Sequence, residues 1–255
     1  MSNTAKRTII GVIGIPLFLY LIYLGGIYFL VLCLVIQTLC LWEFLKMFEN
    51  KGIFTLKILT VLISVAIFFL LYFKYYTGMI LISLPVFFEI FREKKRNPLN
   101  PVLSVFGIIY VTIPFFLLNE LEKNFLVVIY LFVLIWACDT FAYFGGKLLG
   151  KHKLTSISPN KTVEGAIAGL LFTVISSVFF YYLKSEFINL TDSIVLGLLI
   201  GAVSQAGDNF ESLLKRYTEV KDSSNLIPGH GGLLDRFDSL IFITPFIYLY
   251  FYFIK

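Results

Sequence analysis

Residues 58–73 read ILTVLISVAIFFLLYF. None of these positions is charged, and apolar side chains fall on every side of a helix and on both faces of a strand. Neither an amphipathic soluble helix nor a half-buried strand has that pattern. Comparable runs recur from Thr8 to Ile254, in a chain that is 58% hydrophobic and 15% charged, with a mean hydropathy of +0.88. Ordinary soluble domains carry about 25% charged residues. This much apolar side chain exceeds what one soluble core can bury, which excludes a soluble domain on a single anchor, a disordered chain and a collagen-like one. An outer-membrane barrel needs segments of alternating polarity, which residues 58–73 lack. The expected fold is therefore an all-α integral membrane bundle with polar segments on one side.

Working outward, the run from Thr8 to Phe44 is too long for one crossing and is broken by Gly25-Gly26, so it reads as a hairpin of two spans. Further spans are expected at about 53–73, 77–91, 101–119, 125–144, 163–183, 192–207 and 238–254, nine in all. Met1 to Lys6 lacks a following small-residue cleavage site and reads as the start of a retained helix. Nine crossings put 17 of the 21 Lys and Arg residues on one face and leave only Lys74, Lys123, Lys184 and Lys255 on the other. By the positive-inside rule the crowded face is cytoplasmic. The chain is then one polytopic domain, 1–255, of the inner membrane, with spans over 8–119 and a catalytic region over 125–255. No repeat of the transporter kind is visible.

The net charge of +5 is spread over these loops and does not suggest a nucleic-acid partner. Cys33, Cys40 and Cys138 lie inside apolar runs at no ligand spacing, so they read as small core residues. With only His152 and His230, a histidine metal cage is impossible.

Polar chemistry concentrates near the C-terminus. Asp208, Glu211, Glu219, Asp222, Asp235 and Asp238, six of the sixteen carboxylates, fall within 31 residues and are interleaved with Lys215, Arg216, Lys221, His230 and Arg236. A solvated loop of mixed charge explains that composition equally well. If the eighth helix continues past Asp208, then Asp208, Ser212 and Lys215 share a face, with Glu211 beside them. The turn Pro228-Gly229-His230-Gly231-Gly232 permits positive φ and close approach of backbone N–H groups to a phosphate. Asp235 and Asp238, three apart, either share a divalent cation or merely cap the last helix. Asp139, at or near the end of a span, is expensive in hydrocarbon and so a functional candidate. Ser158-Pro159-Asn160-Lys161-Thr162 reads as a helix start, with Pro159 in the first turn and Lys161 and Thr162 where anions are favoured. Hard oxygen ligands, cations and flexible glycines together suit Mg²⁺-dependent chemistry on phosphates.

The ordered string from Ser212 through Lys215-Arg216, Lys221-Asp222, Pro228-Gly-His-Gly-Gly232, Asp235-Arg236 and Asp238 resembles the signature of the phosphatidate cytidylyltransferases, or CDP-diacylglycerol synthases. The segment from Asp139 to Gly165 resembles their second motif, although Phe141 stands where glycine is common, Asn160 where lysine is common, and Asn209 where an apolar residue usually follows the aspartate. The resemblance implies a polytopic enzyme, a homodimer, that converts phosphatidic acid and CTP into CDP-diacylglycerol and pyrophosphate using Mg²⁺, with K⁺ as a candidate second cation. The candidate catalytic residues are Asp222, Asp235, Asp238, Lys215, Arg216, Lys221 and Arg236. Cation ligands come from Asp222, Asp235, Asp238, Asp208 and Asp139, and substrate contacts from Ser158, Lys161, Ser212, His230, Gly231 and Gly232. A CTP-dependent polyprenol or dolichol kinase and a non-enzymatic transporter are the competing readings.

Overall fold

The computed structural model describes residues 3–227, 229 and 231–254. Among these there are helices but no strand, only two isolated bridges, Lys153 with Thr162 and Ile227 with Gly231. Five helical runs are long and apolar enough to cross a bilayer: Gly26–Lys51, Leu99–Leu121, Phe125–Leu149, Val163–Leu183 and Leu190–Tyr217. Gly14–Leu24, Lys57–Tyr72 and Tyr76–Ile90 are apolar but shorter. The chain is thus an all-α, multi-pass membrane protein. The expected single helix at 77–91 is instead a 3₁₀ segment, Tyr76–Ser83, followed by a short α-helix, Leu84–Ile90. Pro85 sits at the start of that helix, a position that proline tolerates.

The chain divides into two compact units. The first comprises Met1–Glu120 and Tyr217–Phe237. Here α1 (Asn3–Leu24), α2 (Gly26–Met47) and α3 (Lys57–Tyr72) are followed by α4 (Leu84–Ile90), α5 (Leu99–Gly107) and α6 (Ile113–Leu121). The centre is α2, which touches α1, α3 and α5 and buries Phe29, Leu30, Cys33, Cys40, Leu41 and Phe44. Cys33 and Cys40 are buried in this core as thiols rather than in a disulfide. A Cβ on Gly107 would lie 2.9 Å from Leu41 and 3.0 Å from Phe44, so glycine lets α5 approach α2 closely. Between α5 and α6 the helix widens into a π turn, Ile108–Thr112. Thr112 in this turn donates to Gln37 on α2 at 3.0 Å, while Thr60 on α3 donates to Ser104 on α5 at 3.0 Å. These buried polar side chains therefore find partners on other helices, as an apolar surrounding requires.

The second unit comprises Leu121–Arg216 and Asp238–Lys255. Its elements are α7 (Phe125–Leu149), α8 (Val163–Leu183), α9 (Leu190–Tyr217) and α10 (Leu234–Phe253), the last beginning in the first unit. Small residues set the helix spacing. A Cβ on Gly165 of α8 would stand 2.6 Å from the Ala142 carbonyl oxygen and 3.0 Å from Gly146 Cα on α7. One on Gly207 of α9 would meet Phe242 at 2.5 Å on α10. Without a hydrophobic drive inside lipid, close backbone packing of this kind is what holds helices together. Phe141 stacks on Phe172 at 3.9 Å and adds an aromatic contact between α7 and α8.

Because Gly165 faces backbone atoms that cannot rotate away, Gly165→Ala should destabilise the folded protein by about 1–3 kcal/mol, the usual cost of overpacking. Thermal unfolding in detergent checks this against Leu171→Ala at an exposed position of α8. An unchanged midpoint for Gly165→Ala would contradict the close α7–α8 contact.

Candidate active site

In the second unit, α9 does continue past Asp208, running unbroken to Tyr217. Asp208, Ser212 and Lys215 therefore keep helical register. Lys215 pairs with Glu211 at 2.6 Å one turn earlier, and the Glu211 side chain is fully buried. Asp208 pairs with Lys161 at 2.7 Å, and the same ammonium donates to Asn209 Oδ1 at 3.0 Å. Asn209 thus shares Lys161 with Asp208. Asp238, on the buried face of α10, accepts the Ser239 N–H at 2.6 Å and interacts electrostatically with Asp208, Asp139 and Lys215. Asp139 stands well inside α7, which runs ten residues beyond it to Leu149, and is exposed.

The loop before α8 differs from expectation. The helix starts at Val163 with Thr162 as its cap, the Thr162 hydroxyl accepting the Gly165 N–H at 3.1 Å. Ser158 and Pro159 lie in a preceding turn closed by Lys161 N–H to the Ser158 carbonyl at 3.0 Å, so Pro159 does not open the helix. Threonine and serine are both good caps, and the local hydrogen bond decides between them. Glu164 ties this loop down: it accepts from the Lys151 and His152 N–H groups at 3.0 and 3.2 Å and meets His152 Nδ1 at 2.6 Å. Arg216 Nε reaches the Ile157 carbonyl at 3.3 Å.

In the first unit, the turn before α10 is built around carboxylates. Ile227 donates to the Gly231 carbonyl at 2.9 Å, closing the glycine turn. Asp235 Oδ2 reaches back to accept from the Gly232 N–H at 2.8 Å, the Ser223 N–H at 2.9 Å and the Ser223 hydroxyl at 3.0 Å. Gly231 has φ +83°, which favours glycine, and a Cβ there would lie 2.8 Å from Asp235 Oδ2 and 3.5 Å from Asp222 Cγ. Asp222 and Asp235 thus converge on the same glycine. Lys221 and Arg236 stand beside them in sequence. Lys51 meets Glu219 at 2.5 Å, and this hydrogen bond, then the charge, holds the Glu219 carboxyl below the usual range. That contribution is present above the ordinary carboxylate pKa and is lost as pH falls through the lowered one. Pro228 and His230 lie outside the described residues.

One acid escaped the sequence reading. Glu43, on α2, is buried and accepts from Ser223, Ser224, Leu233 and Leu234. Its signal was there: a lone carboxylate at the end of an apolar run is a functional candidate by the same argument applied to Asp139.

Residues 5–254 match the model of the cytidylyltransferase family. The chain belongs to that family. It is 31% identical over 275 residues to a phosphatidate cytidylyltransferase of Bacillus subtilis, with 97% of each chain covered. A protein of that name from Synechocystis is 35% identical over 289 residues, covering 96% of this chain and 95% of its own. One from Haemophilus influenzae is 39% identical over 171 residues, covering 62% of this chain and 59% of the relative. The matched range includes the glycine turn, Asp222 and Asp235 in the first unit and α9 and Asp238 in the second.

The donor set suits a hard cation. Among the described residues no three His, Cys, Asp or Glu side chains form a closed cage. Mg²⁺ is commonly held by one or two carboxylates plus substrate phosphates and water, and Asp222 and Asp235 are two carboxylates that face one glycine.

A Cβ on Gly232 would lie 2.0 Å from Ser223 Oγ and 2.6 Å from Glu43 Oε2. Gly232→Ala should therefore loosen the turn and speed trypsin cleavage after Lys221 in the folded, detergent-solubilised protein. Cleavage at the wild-type rate would contradict this packing.

Proposed function

We propose that this cytidylyltransferase joins CTP to phosphatidic acid, forming CDP-diacylglycerol and releasing pyrophosphate in phospholipid biosynthesis. The observation that carries the reading is similarity along nearly the whole chain to phosphatidate cytidylyltransferases, with the signature's carboxylates and glycines built into one turn. A phosphate oxygen of the lipid attacks the α-phosphorus of CTP, and the bond from that phosphorus to the oxygen of the β-phosphate breaks in line. The nucleophile is already largely ionised at neutral pH, since a phosphate monoester has a second pKa of about 6, so no general base is required. Mg²⁺, when bound, neutralises charge on the phosphoryl groups.

The chain's own residues would bind and orient. Asp222 and Asp235 are the cation ligands best supported by their convergence on Gly231, with Asp238, Asp208 and Asp139 as further candidates. Lys221, Arg236, Lys215 and Arg216 would meet the triphosphate and the lipid phosphate as charge-assisted donors. Lys161 would hold Asp208 in place, while Ser158, Ser212 and His230 would contact substrate. Gly231 and Gly232 would let backbone N–H groups come close to a phosphate. The same reading carries K⁺ as a second cation and a homodimer. It also carries nine crossings of the inner membrane with the motif segments facing the cytoplasm, on the asymmetry of Lys and Arg between loops.

The test uses purified protein, phosphatidic acid in mixed micelles, CTP and Mg²⁺, with the lipid product identified by mass spectrometry. CDP-diacylglycerol is expected; CDP with a phosphorylated lipid would indicate a kinase instead. Asp238→Asn preserves size and capping ability, because Asn caps about as well as Asp. If Asp238 is a ligand, that variant loses about 10²–10³ in turnover, as loss of a strong electrostatic contact does. Its melting temperature should stay near that of the wild type. Normal turnover at low Mg²⁺ would remove Asp238 from the ligand set.

A further inference from the structure

Glu43 lies on α2, far in sequence from the signature it touches. Its side chain is 3% exposed, near the end of an apolar run, a costly place for a charge. Both carboxylate oxygens act as acceptors, and these donors come from the segment between Ser223 and Leu234. Oε1 accepts from the Ser224 hydroxyl at 2.5 Å and the Leu233 N–H at 3.1 Å. Oε2 accepts from the Leu234 N–H at 2.8 Å and faces the Ser223 hydroxyl at 3.2 Å. The Leu233 and Leu234 amides belong to the start of α10, where N–H groups have no partner within the helix. Glu43 supplies that partner from another helix, and its charge also favours the positive helix end.

The arrangement leads directly to the signature acids. The Ser223 hydroxyl lies between two carboxylates, 3.2 Å from Glu43 Oε2 and 3.0 Å from Asp235 Oδ2, with one proton for both acceptors. Glu43 is therefore one bridging residue from Asp235, and Ser223 is the chain neighbour of Asp222. Gly232 completes the knot, since any side chain there would collide with both Ser223 and Glu43. An apolar residue at 43 would remove the cost of burying a charge but take the acceptor from two helix-start amides and the Ser224 hydroxyl, leaving the Ser223 hydroxyl only Asp235.

We propose that Glu43 is a positioning residue for cytidylyl transfer: it fixes the backbone from Ser223 to Leu234 so that Asp222 and Asp235 hold the spacing their cation needs. The inference rests on the cytidylyltransferase reading above. Glu43 acts through the turn and touches neither substrate nor cation.

The test compares full-length wild type, Glu43→Gln and Glu43→Asp in detergent. Gln is nearly isosteric but puts an NH₂ where an acceptor is required; Asp keeps the charge but is one methylene short. Amide hydrogen exchange, read without substrate or metal, should rise in peptides covering 222–234 in Glu43→Gln and stay at wild-type levels in α7 and α8. In the same variant the Mg²⁺ concentration for half-maximal CDP-diacylglycerol formation should rise and turnover should fall, together about 10–100-fold, the usual effect of removing a group that orients a ligand. Glu43→Asp should fall between Gln and wild type in both readouts. Unchanged exchange over 222–234 overturns the proposal, as does an activity loss that follows melting temperature while the Mg²⁺ dependence stays at the wild-type value. Failure of both variants to fold would assign Glu43 to stability alone and equally overturn it. If the wild type makes no CDP-diacylglycerol, the functional reading fails, and the exchange data still report whether Glu43 holds the turn.

Discussion

Two carboxylates, Glu43 and Asp235, hold the backbone of the turn that bears the cytidylyltransferase signature. Between them they accept the N–H groups of Ser223, Gly232, Leu233 and Leu234 and face the hydroxyls of Ser223 and Ser224. A glycine turn is otherwise poorly suited to precise work, because glycine loses more backbone freedom on folding than any other residue. Charge-assisted hydrogen bonds, roughly twice as strong as neutral ones, offset that freedom. The result is a segment whose backbone is tied down, with Asp222, Lys221 and Arg236 beside it in sequence.

The second unit solves a related problem with a helix in place of a turn. Unbroken α9 carries Asp208, Glu211, Ser212 and Lys215 in fixed register and ends in the basic pair Lys215-Arg216, where cations also favour the helix terminus. Its acids are neutralised locally, Glu211 by Lys215 and Asp208 by Lys161. Charges placed near hydrocarbon persist only when paired in this way.

Much of this was legible in the sequence where chemistry is local. Uniform apolar runs announced helices in a membrane, the buried cysteines were readable as core, and the shared face of Asp208, Ser212 and Lys215 was readable on the condition, met by α9, that the helix continues past Asp208. What was not legible depends on contacts distant in sequence or on competition between neighbours. Glu43 meets its partners some 180 residues away. No local pattern singles it out beyond its charge in an apolar run. Thr162, not Ser158, caps α8 because the loop is tied by Glu164 and His152, which set where the helix can start. The π turn at Ile108–Thr112 and the 3₁₀ segment at Tyr76–Ser83 have the same composition as ordinary span, and only packing against α2 and α3 distinguishes them.

The central claim is that a turn held by Glu43 and Asp235 serves attack at the α-phosphorus of CTP. It is tested most directly by following the fate of CTP carrying ³²P at the α or the γ position, with phosphatidic acid and Mg²⁺. The account predicts that α-label enters the lipid and γ-label leaves as pyrophosphate. Transfer of γ-label to lipid, with α-label recovered in CDP, would contradict it.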